Sequence, residues 1–240
     1  MDLRISMSRF ANAQYNLAEA GSLSVRVAAR VRRRMFQTFM DVFEPGPEAT
    51  VLDVGATSDD SYESSNYLEA LYPYKNQITA CGIDDASHLE AKYPGVTFVP
   101  ADGLNMPFRD QAYDFVHSSA VLEHVGSLEN QVRFVRECAR VARRGLFLTT
   151  PNRWFPIDYH TQLPLLHWLP KAWHRSILQS AGYGFFAKEE NLNLMTAAEL
   201  RTMGRHLPDY RVRLETASLL GWTSNLLLVG ERMKGNPAAL

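Results

Sequence analysis

The sequence predicts an α/β protein in which helices cover both faces of a mostly parallel sheet. From Thr50 onward, short apolar runs of strand length alternate with helix-like patterns. Most of these runs are predominantly apolar, which is typical of strands buried on both faces. Segment 209–231 then offers two strands with no room for a crossover helix between them. This last observation predicts one antiparallel pair near the C-terminal end.

The predicted elements follow a βαβ order, which implies right-handed crossovers. An amphipathic helix over 22–41 comes first, because Val27, Val31, Met35 and Phe39 recur at helical spacing. Seven strand-like runs follow, and they read TVLDVG, ITACGID, VTFVPAD, YDFVHSS, GLFLTT, RVRLETA and NLLLVGE. Helices are predicted between them over 60–71, 86–92, 127–142 and 196–206.

The helix over 60–71 has a recognisable start. Asp60 is a plausible N-cap, and Glu63 follows at the capping-box spacing. Free backbone N–H groups at such a helix end favour a carboxylate or a phosphate.

Two regions stand outside the alternation and define the predicted domain organisation. Residues 1–48 form an N-terminal helical extension, and residues 49–240 form the main domain. Within that domain an insert, residues 151–194, follows the fifth strand and has four prolines, three tryptophans and three histidines before Glu190. A long aromatic segment of this kind after a strand is typical of a lid or a substrate pocket.

The N-terminal helix carries arginines among its apolar positions, at 26, 30, 32, 33 and 34. Two interpretations stay open at this point. The arginines form either a solvated face on a helix that packs against the core, or a docking surface for an anionic lipid or substrate.

Composition excludes several classes of function. The chain has 240 residues, 46% apolar content and a net charge of −1, and this charge argues against nucleic acid as a partner. It has neither a leader-like apolar segment nor about 18 consecutive apolar residues, which predicts a cytoplasmic location. Cys81 and Cys138 are interpreted as buried thiols. The absence of a dense ligand motif predicts no structural metal and leaves a magnesium-assisted acceptor site open.

Small and acidic residues follow the first three strands. Gly55, Ala56 and Thr57 occupy the turn after the first strand, Asp84 follows the second, and Asp102 follows the third. Since the carboxyl ends of parallel strands meet at one edge of the sheet, these residues are expected to form one site. An acidic side chain at the second strand end can accept hydrogen bonds from both hydroxyls of a ribose, and Asp102 would lie within reach of a base amino group.

Four stretches between residues 50 and 152 carry a resemblance to a known family: VLDVGA, CGIDDAS, ADGLNMPFRDQAYDFVHSSAVLEHVGSLEN and RECARVARRGLFLTTPN. They resemble the class I S-adenosylmethionine-dependent methyltransferases, especially the subgroup of the ubiquinone and menaquinone methyltransferases. The resemblance implies a Rossmann-like, seven-stranded sheet with an antiparallel last strand, and S-adenosylmethionine as the cofactor. It agrees with the C-terminal strand pair inferred independently above.

The resemblance also implies cofactor contacts, residue by residue. The methionine portion would contact Asp53, Gly55, Ala56 and Thr57, the ribose Asp84, and the adenine Asp102 and Gly103, while Ser118 and Ser119 would face the cofactor. One departure from the family pattern stands at Thr57, which replaces a second glycine. A backbone conformation with positive φ would be costly there.

Methyl transfer is an in-line displacement on an activated methyl group, so much of the rate comes from holding the acceptor close and aligned. A base is needed only if the acceptor must lose a proton. His160 in the insert is the preferred candidate for this base. His124 is a second candidate, or it fixes a helix start below the pocket. The residues expected to shape the acceptor pocket, with core packing as the alternative, are Trp154, Tyr159, His167 and Trp168.

The sequence therefore predicts a methyltransferase that O-methylates a lipophilic, aromatic, sugar or lipid-linked small molecule. It predicts no nucleic-acid partner and allows a peripheral contact with a membrane or lipid. A nicotinamide dehydrogenase would share the sheet, but GATSDD lacks the G-x-G-x-x-G pattern. A non-catalytic S-adenosylmethionine-binding module that acts with a protein partner or membrane is the remaining alternative.

Overall fold

The computed structural model describes residues 23–59 and 64–233. Seven strands form one sheet in the order β3-β2-β1-β4-β5-β7-β6. Strand β7 is antiparallel to both of its neighbours, and the other strands run parallel to one another. The predicted sheet with its antiparallel last strand is therefore confirmed. The strands are β1 (Val51–Val54), β2 (Ile78–Gly82), β3 (Thr97–Pro100), β4 (Tyr113–Ser119), β5 (Ala142–Pro151), β6 (Tyr210–Leu219) and β7 (Trp222–Arg232).

Five of the described helices lie where helices were predicted, with different ends, and a sixth, within the insert, was not predicted. They are α1 (Leu23–Phe43), α2 (Tyr67–Leu71), α3 (His88–Lys92), α4 (Leu128–Val141), α5 (Lys171–Ser180) and α6 (Ala197–Gly204). Helix α2 begins later than predicted, because residues 64–66 form a turn. The proposed cap at Asp60 and its partner Glu63 lie outside the described residues.

Two helix starts are set by hydroxyl side chains. Ser127 accepts a hydrogen bond from the backbone N–H of Asn130 at the start of α4. Thr196 and Glu199 form a reciprocal capping box at the start of α6. Such caps satisfy backbone donors that have no partner within the helix.

Separate apolar clusters lie on the two faces of the sheet. One cluster packs α4 and α6 against the sheet, and the other packs α1 and α2 against the opposite face. Helix α1 buries Val31, Met35, Phe39 and Phe43, which recur about every fourth residue. The Phe39 ring makes edge contacts with Phe115 and Phe147 of the sheet, so α1 is part of the core.

The order of the strands reverses between β1 and β4, which are neighbours in the sheet although β2 and β3 separate them in sequence. Open α/β sheets bind ligands beyond the carboxyl ends of the strands at such a point. The insert follows β5 at the same edge and contains α5. Among the described helices, none combines the length and the apolar character that a membrane crossing needs.

Candidate active site

A cavity of about 520 Å³ opens at the carboxyl edge of the sheet, where β1 and β4 meet. This volume suits a cofactor or a small molecule. Its walls come from α1, the strand ends and the insert. Of the residues predicted from the sequence, the following line it: Gly55, Ala56, Thr57, Asp84, Asp102, Gly103, Ser119, His124, Tyr159 and His160.

The turn after β1 depends on Gly55 for two reasons. Its φ is +95°, a conformation that side chains rarely tolerate. A Cβ atom at this position would also lie 2.1 Å from the Val121 side chain, which follows β4. Glycine therefore lets the ends of β1 and β4 approach each other below the cavity.

Thr57 does not need the positive φ that a second glycine would allow, since it is not among the described residues with such a backbone. The buried side chain of Asn66 holds this residue instead. Its Oδ1 accepts from the Thr57 N–H at 3.0 Å, and its Nδ2 donates to the Thr57 carbonyl at 2.9 Å. Sequence reasoning missed Asn66, although an asparagine before an apolar helix is a usable signal.

The ends of β2 and β3 contribute acidic side chains to the cavity. Asp84 lies two residues beyond β2, and Asp102 two residues beyond β3. The Oδ1 atom of Asp102 accepts a hydrogen bond from the Leu104 N–H at 2.9 Å, so this carboxylate also fixes its own turn. Gly103 lets the turn pack closely, because a Cβ there would lie 2.6 Å from the Phe134 ring.

Two of the predicted cofactor residues are not brought to the cavity. Asp53 is buried, and its Oδ1 contacts Nδ1 of His117 on β4. The Tyr67 hydroxyl lies 2.8 Å from the other nitrogen of that ring. Ser118 donates its hydroxyl to the Val54 carbonyl at 2.7 Å and so joins β4 to β1. Asp53 and Ser118 are thus buried on their strands, and neither lines the cavity.

A second buried acid, Glu69, accompanies Asp53. Burial, followed by the charge of Asp53, raises the pKa of Glu69 well above its usual range. Burial also lowers the pKa of His117 and raises that of Asp53. A neutral His117 can donate from Nδ1 to Asp53 and accept from Tyr67 at its other nitrogen, which satisfies the whole ring.

The other aromatic residues predicted to bind substrate hold the insert together. The Nε2 atom of His167 lies 2.7 Å from the Phe155 carbonyl, and the Trp168 indole donates to the same oxygen at 3.3 Å. Trp154 is exposed and makes an edge contact with Trp168. None of these three side chains lines the cavity, whereas Tyr159 does.

The two candidate base residues, His124 and His160, lie side by side on the cavity wall. Their Nε2 atoms are 3.1 Å apart. Nδ1 of His124 lies 2.6 Å from the Asn191 carbonyl, and Nδ1 of His160 lies 3.1 Å from Oδ1 of Asp158. A carbonyl and a carboxylate only accept, so both Nδ1 atoms carry hydrogen. If both rings are neutral, their two Nε2 atoms face each other with lone pairs, which repel. One further proton on either Nε2 atom replaces this repulsion with a hydrogen bond between the rings.

The electrostatic surroundings decide where that proton belongs. Burial opposes the charge of His160, but the hydrogen bond and charge of Asp158, with Glu123, raise its pKa above the usual value. Burial and the neighbouring His160 lower the pKa of His124 to about 3. Despite burial, hydrogen bonds from His160 and Thr161 lower the pKa of Asp158. His160 is therefore the proton carrier of the pair.

Glu123 completes this cluster from below. Its Oε2 accepts from the Thr150 hydroxyl at 2.9 Å, and its buried Oε1 has no hydrogen-bond partner among the described residues. This oxygen is 3.9 Å from Nε2 of both histidines. The three ligand-type atoms lie within 4.8 Å of one another, a spacing that suits one cation, whereas no metal was predicted from the sequence.

Helix α1 contributes to the cavity one of the arginines for which the sequence left open a solvated face or a docking surface for an anionic lipid or substrate. Arg32 lines the cavity, and its guanidinium donates to the carbonyl of Ser64 at 2.8 Å. The signal was present in the spacing, because Arg32 lies one residue from Val31 and three from Met35, both of which are buried. A fixed cation next to the turn after β1 suits a carboxylate such as that of a bound amino acid.

Comparison with known proteins identifies the central part of the chain. Residues 52–149 match the methyltransferase domain family. A probable S-adenosylmethionine-dependent methyltransferase of Mycobacterium tuberculosis is 40% identical over 81 residues, which cover 32% of this chain and 28% of that protein. A mouse protein, probable tRNA methyltransferase 9B, is 31% identical over 101 residues, or 41% of this chain and 20% of its own length. The chain thus spans less than a third of the length of these relatives.

The fold is also similar to that of a solved structure. Magnesium protoporphyrin IX methyltransferase from Synechocystis, with bound S-adenosylhomocysteine, has a TM-score of 0.54 and 17% identity, covering 88% of this chain and 86% of that one. At this identity the likeness concerns the fold. The family match over residues 52–149 and the relatives named as S-adenosylmethionine-dependent methyltransferases support a methyltransferase domain in that part of the chain, with S-adenosylmethionine as its cofactor.

Proposed function

We propose that the protein transfers a methyl group from S-adenosylmethionine to a hydroxyl oxygen of a lipophilic small molecule, with His160 as the base. The observation that carries this proposal is the coupled pair of His124 and His160 on the wall of the cofactor cavity. The sulfonium methyl is already activated, so the chain has to position the acceptor and remove its proton. S-adenosylmethionine, when bound, supplies the methyl group.

The proton count of the pair defines the reactive form. With His160 protonated the pair holds three ring protons, and a fourth would place two cations 3.1 Å apart. The form that can accept a proton from the acceptor therefore has both rings neutral. It becomes populated as the pH rises through the pKa of His160, which lies above the usual value of 6.5. Methyl transfer should accordingly increase with pH across this range.

The walls of the cavity favour an apolar acceptor. Helix α1 contributes Val25, Ala28, Val31 and Met35 to the lining. Tyr159 adds an aromatic ring to the lining. Sites of this composition bind molecules that are mostly apolar with one or two polar groups.

The acceptor class is tested by incubating the full chain with methyl-labelled S-adenosylmethionine and three kinds of acceptor. These are aromatic or lipid-linked hydroxyl compounds, amines of similar size, and bulk tRNA. The proposal expects label only in the first group. Label in tRNA would move the acceptor to the class named for the mouse relative. Cofactor binding without transfer to any of the three would favour the non-catalytic module.

Asp84→Ala tests the cofactor site. Loss of the ribose acceptor should weaken S-adenosylmethionine binding about 10- to 100-fold, since a charged hydrogen-bond acceptor is removed, as measured by calorimetric titration. Asp85→Ala is the matched control, because Asp85 is exposed and accepts from the Ser87 N–H. Equal affinity in the two variants would contradict the placement of the ribose.

A metal-dependence assay separates two uses of the cluster around Glu123. Transfer by the proposed base should survive treatment with EDTA. Loss of activity in EDTA, restored by one divalent cation, would show that Glu123, His124 and His160 hold a metal ion, and the proton-acceptor role of His160 would then be wrong.

A further inference from the structure

The tip of the β6–β7 hairpin contains a leucine in an unfavourable setting. Leu219 pairs with Trp222, so Leu220 and Gly221 form a two-residue turn. Their φ angles are +50° and +84°, the geometry in which Asn-Gly or Asp-Gly is preferred. Leu220 nevertheless occupies the first position and is 93% exposed. Its side chain stabilises nothing within the fold, which points to a contact outside the chain.

More exposed apolar side chains lie at the same edge of the sheet. Trp222 follows the turn and is 53% exposed. Asn152, at the start of the insert, donates from Nδ2 to the Thr223 carbonyl at 2.9 Å, which joins the insert to the hairpin. Further along the insert, Trp154 and Leu165 are exposed, and Leu165 also has a positive φ of 59°. The apolar tips therefore cluster at the carboxyl edge of the sheet, where the cavity opens.

Helix α1 brings positive charge to this edge. Its first turns line the cavity, and the Arg34 guanidinium donates to the Ser218 carbonyl just below the hairpin tip at 3.1 Å. Arg26, Arg30 and Arg33 are exposed at spacings of four and three residues, so they share one helix face. Within residues 23–59 and 64–233, none of these three takes part in an ion pair.

We infer that this edge of the molecule docks on a membrane surface that carries anionic phospholipid. The docking face is defined by Leu220 and Trp222 at the hairpin tip, the exposed rim of the insert, and Arg26, Arg30 and Arg33 of α1. Tryptophan and leucine side chains enter the headgroup region while arginines bind the phosphates. The inference extends the proposed function, because the cavity then opens toward the phase in which a lipophilic acceptor is dissolved.

Charge selects the membrane among the candidate occupants of this face. The face combines protruding apolar tips with three arginines that have no counter-charge among the described residues, and the α1 segment contains a single acid, Asp41, at its far end. Phosphates of an anionic bilayer supply the missing charge over a broad area. Two copies of the chain facing each other through this surface would bring like charges together.

Vesicle sedimentation tests the inference without cofactor or acceptor, so its outcome does not depend on methyl transfer. The full chain is mixed with vesicles of phosphatidylcholine, alone or with about one-third phosphatidylglycerol. Binding should require the anionic lipid and weaken as salt is raised. The double variant Arg26→Gln with Arg30→Gln should bind about 25-fold more weakly, at about fivefold for each arginine. Arg201→Gln with Arg205→Gln is the matched control, with the same spacing on α6 across the sheet.

Leu220→Asn gives the most discriminating result. Asparagine suits the turn better than leucine, so the variant should melt at a higher temperature and yet bind anionic vesicles about tenfold more weakly. A residue with only a structural role could not produce these opposite changes. Met233→Ser is the control for loss of an exposed apolar side chain in Trp222→Ser, because Met233 is 50% exposed just beyond β7, at the opposite edge of the sheet.

Three results would overturn the inference. The first is equal binding to neutral and anionic vesicles, or no binding to either. The second is an equal loss of binding in the control variants Met233→Ser and Arg201→Gln with Arg205→Gln. The third is a dimer in solution, detected by light scattering, that Trp222→Ser converts to monomer, because this result would assign the face to a second copy of the chain.

Discussion

Two buried histidine–aspartate pairs in this protein have the same composition and opposite electrostatic outcomes. In the core, His117 on β4 contacts Asp53 on β1 through Nδ1. In the insert, His160 contacts Asp158 through the same ring atom. Burial lowers the pKa of His117, whereas Asp158 and Glu123 raise the pKa of His160 despite its burial.

The partner carboxyl and the second nitrogen of each ring both differ between the pairs. Burial raises the pKa of Asp53 to about 7, whereas hydrogen bonds from His160 and Thr161 lower the pKa of Asp158 despite its burial. Nε2 of His117 meets the hydroxyl of Tyr67, a donor, so the neutral ring is fully satisfied. Nε2 of His160 meets His124, whose own Nδ1 hydrogen is fixed by a backbone carbonyl, so His160 needs a proton there. The partner aspartate alone does not decide the charge of a buried histidine. The charge of that aspartate and the remaining contact of the ring decide it together.

The largest expected effect is on catalytic activity, and it concerns the pair of His160 and Asp158. His160→Gln removes the base and should lower kcat about 100- to 10,000-fold, while the affinity for S-adenosylmethionine changes less than about twofold. Steady-state methyl transfer and calorimetric titration measure these two quantities. His167→Gln is the matched control, because a glutamine can keep the bond to the Phe155 carbonyl. A similar loss of kcat in both variants would remove His160 from the mechanism.

The second effect concerns stability. His117→Leu leaves the buried Asp53 carboxyl and the Tyr67 hydroxyl without their partner. The free energy of unfolding should fall by about 2–4 kcal/mol, as measured by urea denaturation. His206→Leu, at an exposed position, should change it by less than about 0.5 kcal/mol. If His117→Leu and His206→Leu were equally stable, the pair of His117 and Asp53 would not contribute to the stability of the fold.

A third, smaller effect is a shift in the pH dependence of kcat. Asp158→Asn keeps a hydrogen-bond acceptor for His160 but removes the negative charge that raises its pKa. The rise of kcat with pH should therefore begin at a lower pH in the variant than in the wild type. A pH–rate profile measures the displacement. An unchanged profile would mean that another group provides the base.

The same variant has a stability signature with a definite sign. The raised pKa of His160 contributes stability that is fully present below 6.5 and is lost as the pH rises through the folded-state value. The lowered pKa of Asp158 contributes stability that is present above 3.8 and is lost as the pH falls. The difference in unfolding free energy between the wild type and Asp158→Asn should thus be largest between these two pH values. A difference that grows above pH 7 would contradict this sign.

Local pattern was sufficient for the sheet and most of the cofactor edge. Continuous apolar runs identify buried strands, and the carboxyl ends of parallel strands meet at one edge, so Gly55, Asp84 and Asp102 could be brought together in advance. Asp53 and Ser118, which only the resemblance implied as cofactor contacts, do not line the cavity, because their side chains bond to His117 and to the Val54 carbonyl. The ubiquinone-type subgroup, the lid role of the insert and the cytoplasmic location stay predictions.

The sequence by itself determined the strand segments, the antiparallel C-terminal pair, the glycine turn after β1 and the presence of an aromatic insert, since each depends on periodicity or on backbone conformation within a few residues. Only the tertiary structure decided which histidines are paired and with what charge. His124 and His160 are 36 residues apart, and the Asn191 carbonyl that fixes His124 is 67 residues beyond it. The protonation of a buried ring depends on every neighbour in space, and those neighbours come from segments that no local pattern connects.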